Sequence, residues 1–146
     1  MESKGRFEQL PGDGVGALIS QAAALYDALL ADALAPHRLT PAAARLLRTL
    51  WHREEPWVAQ AEAVRRSRLP EMDVSRLLAT FERGALVERG PRQGRGRTVR
   101  LTEPGARLAA LAVAASNDAE SRFLRPLGAA RGGLKGLVRQ LVRLER

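Results

Sequence analysis

Three features of the chain predict a mainly α-helical fold with a small β-wing. The first is an apolar helical face at Val74, Leu77, Leu78 and Phe81, with i, i+3, i+4, i+7 spacing, closed by Gly84 where a positive φ is expected. The second is a strand pair just after it. Leu86-Val87 and Thr98-Val99-Arg100-Leu101 flank the loop from Arg89 to Arg97, RGPRQGRGR, which carries four arginines and no acid. The third is a pair of apolar stripes at the two ends of the chain: Leu18, Ala22, Leu25, Leu29 and Ala33, and Leu134, Leu137, Val138, Leu141 and Leu144. Helix, hairpin and basic loop in this order read as the second half of a winged helix-turn-helix, with N- and C-terminal dimerisation helices around it.

The elements follow in order. Residues 1–15, beginning MESKGRFEQLPGDG, lack the charged-then-apolar order of a secretory signal and read as a flexible arm. A first helix over 16–34 ends before Pro36, and 16–38 forms the first dimerisation segment. Thr40 as N-cap and Pro41 at the first helical position open a second helix, with Leu46, Leu47, Leu50 and Trp51 toward the core. Trp57-Val58 is a short strand before a third helix over 59–66. The turn Ser67-Arg68-Leu69-Pro70 leads into the helix at 71–83, so that 39–101 is the DNA-binding region. Thr102 caps a helix running to about residue 125, with Glu103 and Pro104 in its first turn and Leu108, Leu111, Ala112 and Ala115 on its apolar face. Pro126 and Gly128 separate it from a last helix, and 102–146 completes the dimerisation region.

Composition narrows the function. The chain has 146 residues, a formal charge of +8, two histidines and no cysteine. That removes disulfides, thiolate metal sites and thiol redox sensing, and no cofactor is expected. Between Arg65 and Arg100 lie ten arginines against four acids, so six of the eight net positive charges fall in a quarter of the chain. This is the footprint of a polyanion partner, although a solvated arginine-rich surface has the same composition. No phosphate-cradling glycine motif, ligand-spaced histidine pair or Ser-His-acid set points to an enzyme. No apolar run approaches the ~18 residues of a membrane span, which predicts a cytoplasmic protein without a membrane partner. The six aromatic residues leave the basic loop empty of stacking platforms. Double-stranded DNA is therefore the expected partner rather than a single strand. The competing reading is a winged-helix module whose basic face binds RNA or an acidic protein.

With Val74, Leu77, Leu78 and Phe81 turned inward, the groove-facing set is Pro70, Glu71, Met72, Asp73, Ser75 and Arg76. Arg76 can meet phosphate or guanine, and Glu71 or Asp73 can accept from a cytosine amino group. First-turn acids also favour the helix dipole with no DNA role, so both readings of Glu71 and Asp73 stand. In the loop, Arg92, Arg95 and Arg97 suit phosphates or a narrow minor groove. Arg65, Arg66 and Arg68 are assigned to backbone or water. Candidates for a ligand pocket are Tyr26, His37, Arg38, Trp51 and His52; aromatic and histidine side chains at such positions serve equally as core.

From Leu39 to Leu108 the chain resembles the MarR (multiple antibiotic resistance regulator) family of transcription factors, and the terminal helices fit that family's dimerisation region. The resemblance is carried by Leu39-Thr40-Pro41, by Val74-Ser75-Arg76-Leu77-Leu78 with Phe81-Glu82-Arg83-Gly84-Ala85-Leu86-Val87-Glu88-Arg89, and by Leu101-Thr102-Glu103-Pro104-Gly105. It implies a homodimer that represses from a near-palindromic operator, with recognition helices in major grooves and wings at minor grooves. It also implies release by a small aromatic or phenolic ligand between the DNA-binding and dimerisation regions. Arg95 matches the family's wing arginine. The chain departs from the pattern in three ways: Gln93 replaces the usual wing aspartate, Ala59 stands at an N-cap where Thr or Ser is usual, and Ser67-Arg68 replace an apolar residue and glycine.

Overall fold

The computed structural model describes residues 14–51, 56–91 and 96–143. Helix α1 (Val15–Leu34) runs into a 3-10 turn, Ala35–His37, and α2 spans Pro41–Trp51. Strand β1 (Val58–Ala59), α3 (Gln60–Ser67), α4 (Glu71–Arg83), β2 (Val87–Arg89) and β3 (Thr98–Leu101) form the centre of the chain. Helix α5 (Glu103–Leu124), a second 3-10 stretch (Arg125–Ala130) and α6 (Arg131–Arg143) follow. The fold is mainly α with a small antiparallel sheet in the order β1-β3-β2, where Val58 pairs with Val99 and Val87 with Leu101.

Two apolar clusters hold the elements together. One joins Leu46, Leu47 and Leu50 of α2 to Val74, Leu78 and Phe81 of α4 and to Val58, Val87 and Val99 of the sheet. This is the winged-helix core, and the inward face expected for α4 is the one observed. The other joins Leu30 and Leu34 of α1 to Ala44 of α2 and Ala112 and Ala119 of α5. Small residues on α5 let α1 approach closely, and Tyr26 meets Phe123 edge-on with ring centroids 5.5 Å apart.

Thr102 links wing to helix. Its hydroxyl accepts from the Gly105 N–H at 3.2 Å and donates to the Ala85 carbonyl at 2.6 Å, while its own N–H donates to Leu86 O. A Cβ on Gly105 would lie 1.9 Å from Leu86 O, so only glycine allows α5 to start against the residue that leads into β2.

Several expectations are corrected. Gly84 has φ −84°, and the positive φ falls one residue later, at Ala85 (55°). The Gly84 N–H still completes the helical pattern to Thr80 O, so the reversal is delayed until Leu86 N–H reaches Phe81 O. Trp51 is 38% exposed rather than a core residue, because the face carrying Leu46, Leu47 and Leu50 already fills the space above α4. The first strand is Val58–Ala59 rather than Trp57-Val58, the third helix begins at Gln60 with Ala59 as an N-cap that makes no side-chain bond, and the second strand reaches Arg89. The terminal stripes read as dimerisation faces are a different case, since only one chain is present: on α1 Leu30 and Leu34 are buried, and Leu18, Ala22 and Leu25 face solvent. On α5 Leu111 is exposed, and Ala109, Ala112, Ser116 and Ala119 face inward. On α6 Leu137, Val138 and Leu141 are exposed, and Leu144 lies outside the described residues. Val15–His37 is also long and apolar enough, by length and composition, to cross a membrane, although no such run was expected. Asp27 and Asp32 interrupt it.

Candidate DNA-binding face

Helix α4 presents its N-terminal turn outward. Pro70 is the N-cap, with φ −55° and ψ 142°, preset by its ring to enter the helix. Glu71, Met72, Ser75 and Arg76 are exposed and Asp73 is half-buried; Met72 keeps 66% of its surface in solvent. The Arg76 guanidinium has no carboxylate partner among the described residues. The turn before α4 is shaped by local hydrogen bonds. Ser67 is buried, its hydroxyl donates to Val64 O and accepts from Leu69 N–H, and Arg68 takes the left-handed conformation (φ 54°) that glycine adopts most easily.

Gln60 joins three elements. Its N–H donates to Arg97 O at 2.9 Å, its Nε2 donates to Ser75 Oγ at 3.1 Å, and its Oε1 accepts from Arg89 Nη1 at 2.8 Å. Arg89 also bonds Glu82 Oε2 at 3.2 Å. The first residue of α3 therefore ties α4 to β2 and to the residue that precedes β3. Neither Gln60 nor Arg89 stood out in the sequence as a positioning residue, since nothing local marks a contact spanning 15 or 29 positions.

The wing is braced from behind. Arg100 lies over the Trp57 ring at 4.5 Å and pairs with Glu88 at 2.8 Å. Gly90 is required beneath Trp57, where a Cβ would come within 2.4 Å of the indole, and Thr98 Oγ1 donates to Pro91 O at 2.8 Å. Arg97 is exposed. Arg92 and Arg95, the other two wing candidates, lie outside the described residues, as do Gln93 and His52.

Electrostatics divides the arginines into two groups. Glu62 bonds both Arg65, at 2.7 Å, and Arg66, and these pairs hold its carboxyl down from 4.5 to about 2, the Arg65 hydrogen bond being the largest cause. Arg65 is raised in return. Arg89 and Arg100 pair with Glu82 and Glu88. Arg68, Arg76, Arg83 and Arg97 have no carboxylate partner among the described residues.

The ligand-pocket candidates are not brought together. Tyr26 lines a cavity of about 460 Å³ with Arg48, Phe123, Leu124, Leu134 and Val138 among its walls. His37, Arg38 and Trp51 are not among those walls; His37 and Arg38 lie at the turn after α1, and Trp51 ends α2. Among the described residues no group of three or more His, Cys, Asp or Glu could hold a metal.

No family model matches the sequence, and no curated protein matches it. Solved structures do. A probable transcriptional regulator from Pseudomonas aeruginosa superposes with a TM-score of 0.78 at 24% identity, covering 90% of this chain and 99% of that one. A mutant of MarR from E. coli, complexed with operator DNA, gives 0.75 at 24% identity over 87% and 92%. CouR from Rhodococcus jostii, bound to p-coumaroyl-CoA, gives 0.77 at 23% identity over 91% and 92%. The chain therefore has the winged helix-turn-helix fold of the MarR-type regulators.

Proposed function

We propose that the protein is a transcription regulator of the MarR type, a cytoplasmic homodimeric repressor that binds a near-palindromic double-stranded operator. In this reading 39–101 is the DNA-binding region, and 16–38 with 102–146 form the dimer. The observation that carries it is the exposed first turn of α4, where Arg76 has no carboxylate partner among the described residues. Pro70, Glu71, Met72, Asp73, Ser75 and Arg76 enter the major groove, and the arginine wing lies at the minor groove. A second copy suits the exposed apolar residues of α1 and α6, among them Val15, Leu18, Leu25, Leu137, Val138 and Leu141, which a monomer would leave in water. A small aromatic ligand suits the Tyr26 and Phe123 cavity, and its binding would alter the spacing of the two reading heads.

The test is binding of the purified protein to its own promoter against random duplex at one salt concentration, with light scattering at micromolar protein. Preference for promoter of about a thousandfold or more is expected, from a dimer. A ratio near one would return the protein to the interaction-module reading, and a monomer would reject the two-half-site arrangement.

A further inference from the structure

A cleft of about 530 Å³ lies between α2 and the α3–α4 turn, lined by Arg45, Arg48, Thr49, Arg66, Ser67 and Arg68. We propose that it is a phosphate-binding site. The wall from α2 follows from helical spacing: Arg45, Arg48 and Thr49 share one face, opposite the buried Leu46, Leu47 and Leu50. The facing wall is the last turn of α3, whose shape is set by buried Ser67 and by the left-handed Arg68. Four guanidinium groups thus border one cleft, and no carboxylate among the described residues does. Arg66 bonds Glu62, but that carboxylate is shared with Arg65. Arg45, Arg48 and Arg68 have no carboxylate partner among the described residues.

Like charges collected without a counter-ion repel one another, and a bound anion removes that cost. Guanidinium forks match phosphate oxygens in pairs and do not lose their protons, so the cleft selects phosphate over neutral or aromatic ligands. Its volume falls within the ~300–1,000 Å³ of small-ligand clefts, room for more than one phosphate group. Arg68 also stands two residues before Pro70, the N-cap of α4. An anion held there touches the turn that aims the recognition helix. The phosphate has two sources: backbone phosphodiesters of bound DNA, or a free phosphorylated small molecule that acts on the helix. Only the first rests on the proposed DNA binding.

The probe is inorganic pyrophosphate, titrated calorimetrically into the full-length protein and into the double variant Arg45→Gln/Arg48→Gln. Arg45→Lys/Arg48→Lys keeps the charge but not the fork, and Arg107→Gln/Arg122→Gln removes the same charge from α5; thermal melts check that each is folded. Pyrophosphate affinity should fall at least about tenfold in the Gln pair, partly recover in the Lys pair and change little in the α5 control. Salt-dependent binding to duplex DNA then separates the sources. Backbone contact makes the Gln pair's slope shallower by about 0.9 per lost phosphate. An unchanged slope with lost pyrophosphate binding assigns the cleft to a free ligand. Equal pyrophosphate binding by parent and Gln pair, or none by either, together with an unchanged slope, overturns the site. A parent that binds pyrophosphate but no duplex would sink the regulator reading and leave the cleft intact.

Discussion

Replacing Arg76 by glutamine should make DNA binding less dependent on salt by a calculable amount. Of the arginines described between Arg65 and Arg100, Arg65 and Arg66 are committed to Glu62, Arg89 to Glu82 and Arg100 to Glu88. Arg68, Arg76, Arg83 and Arg97 remain, four charges per chain and eight in a dimer. Each phosphate neutralised adds about −0.9 to the slope of log K against log salt, so the parent slope is about −7. Between 50 and 200 mM salt, affinity should then drop by about four orders of magnitude. Arg76→Gln removes two of the eight contacts in a dimer, and the slope should move to about −5. If Arg76 also reads a base, its loss costs ~1–3 kcal/mol at the matched operator position and relaxes preference there. Fluorescence anisotropy on operator and random duplex over a salt series measures both effects. A parent slope shallower than about −2, or an Arg76→Gln slope equal to the parent's with operator affinity intact, would refute the phosphate surface. Equal losses on operator and random duplex would keep the surface and assign Arg76 to the backbone.

Gly105→Ala should destabilise the fold by about 1–3 kcal/mol or more, because the new Cβ would overlap Leu86 O at 1.9 Å; a denaturant melt measures it, and a parental midpoint would refute the close approach. Gln60→Ala should cost ~0.5–1.5 kcal/mol and speed hydrogen exchange at the wing, since Arg89 loses a partner and Ser75 its donor; exchange confined to residues next to position 60 would count against a shared brace. The Glu62 carboxyl is depressed from 4.5 to about 2 in the fold. Its contribution is therefore present above about 4.5 and lost as pH falls toward about 2, which carbon-13 NMR of the carboxyl will follow, and a titration midpoint near 4.5 would reject the shared ion pair. Because the chain has no cysteine, peroxide should release it from DNA only through methionine; release that a methionine sulfoxide reductase cannot reverse would contradict this.

The sequence by itself determined the elements whose causes are local. The apolar spacing at Val74, Leu77, Leu78 and Phe81 predicts α4 at the bounds observed, Glu71–Arg83, because amphipathic period and helix termini are properties of neighbouring residues. Thr102 is legible as a cap for the same reason, and so is the turn at Ser67 to Pro70. The arginine excess was legible as charge, but its availability was not. Whether Arg89 and Arg100 face a phosphate or a carboxylate depends on Glu82 and Glu88, which only strand register brings within bonding distance. The Gln60 brace spans 15, 29 and 37 positions, the arginine cleft needs α2 laid against the end of α3, and the part of α1 that is buried within the chain is decided by the packing of Leu30 and Leu34 against Ala112 and Ala119 of α5. Such contacts are decided by how helices and strands pack in space, and sequence spacing carries no distance across a fold.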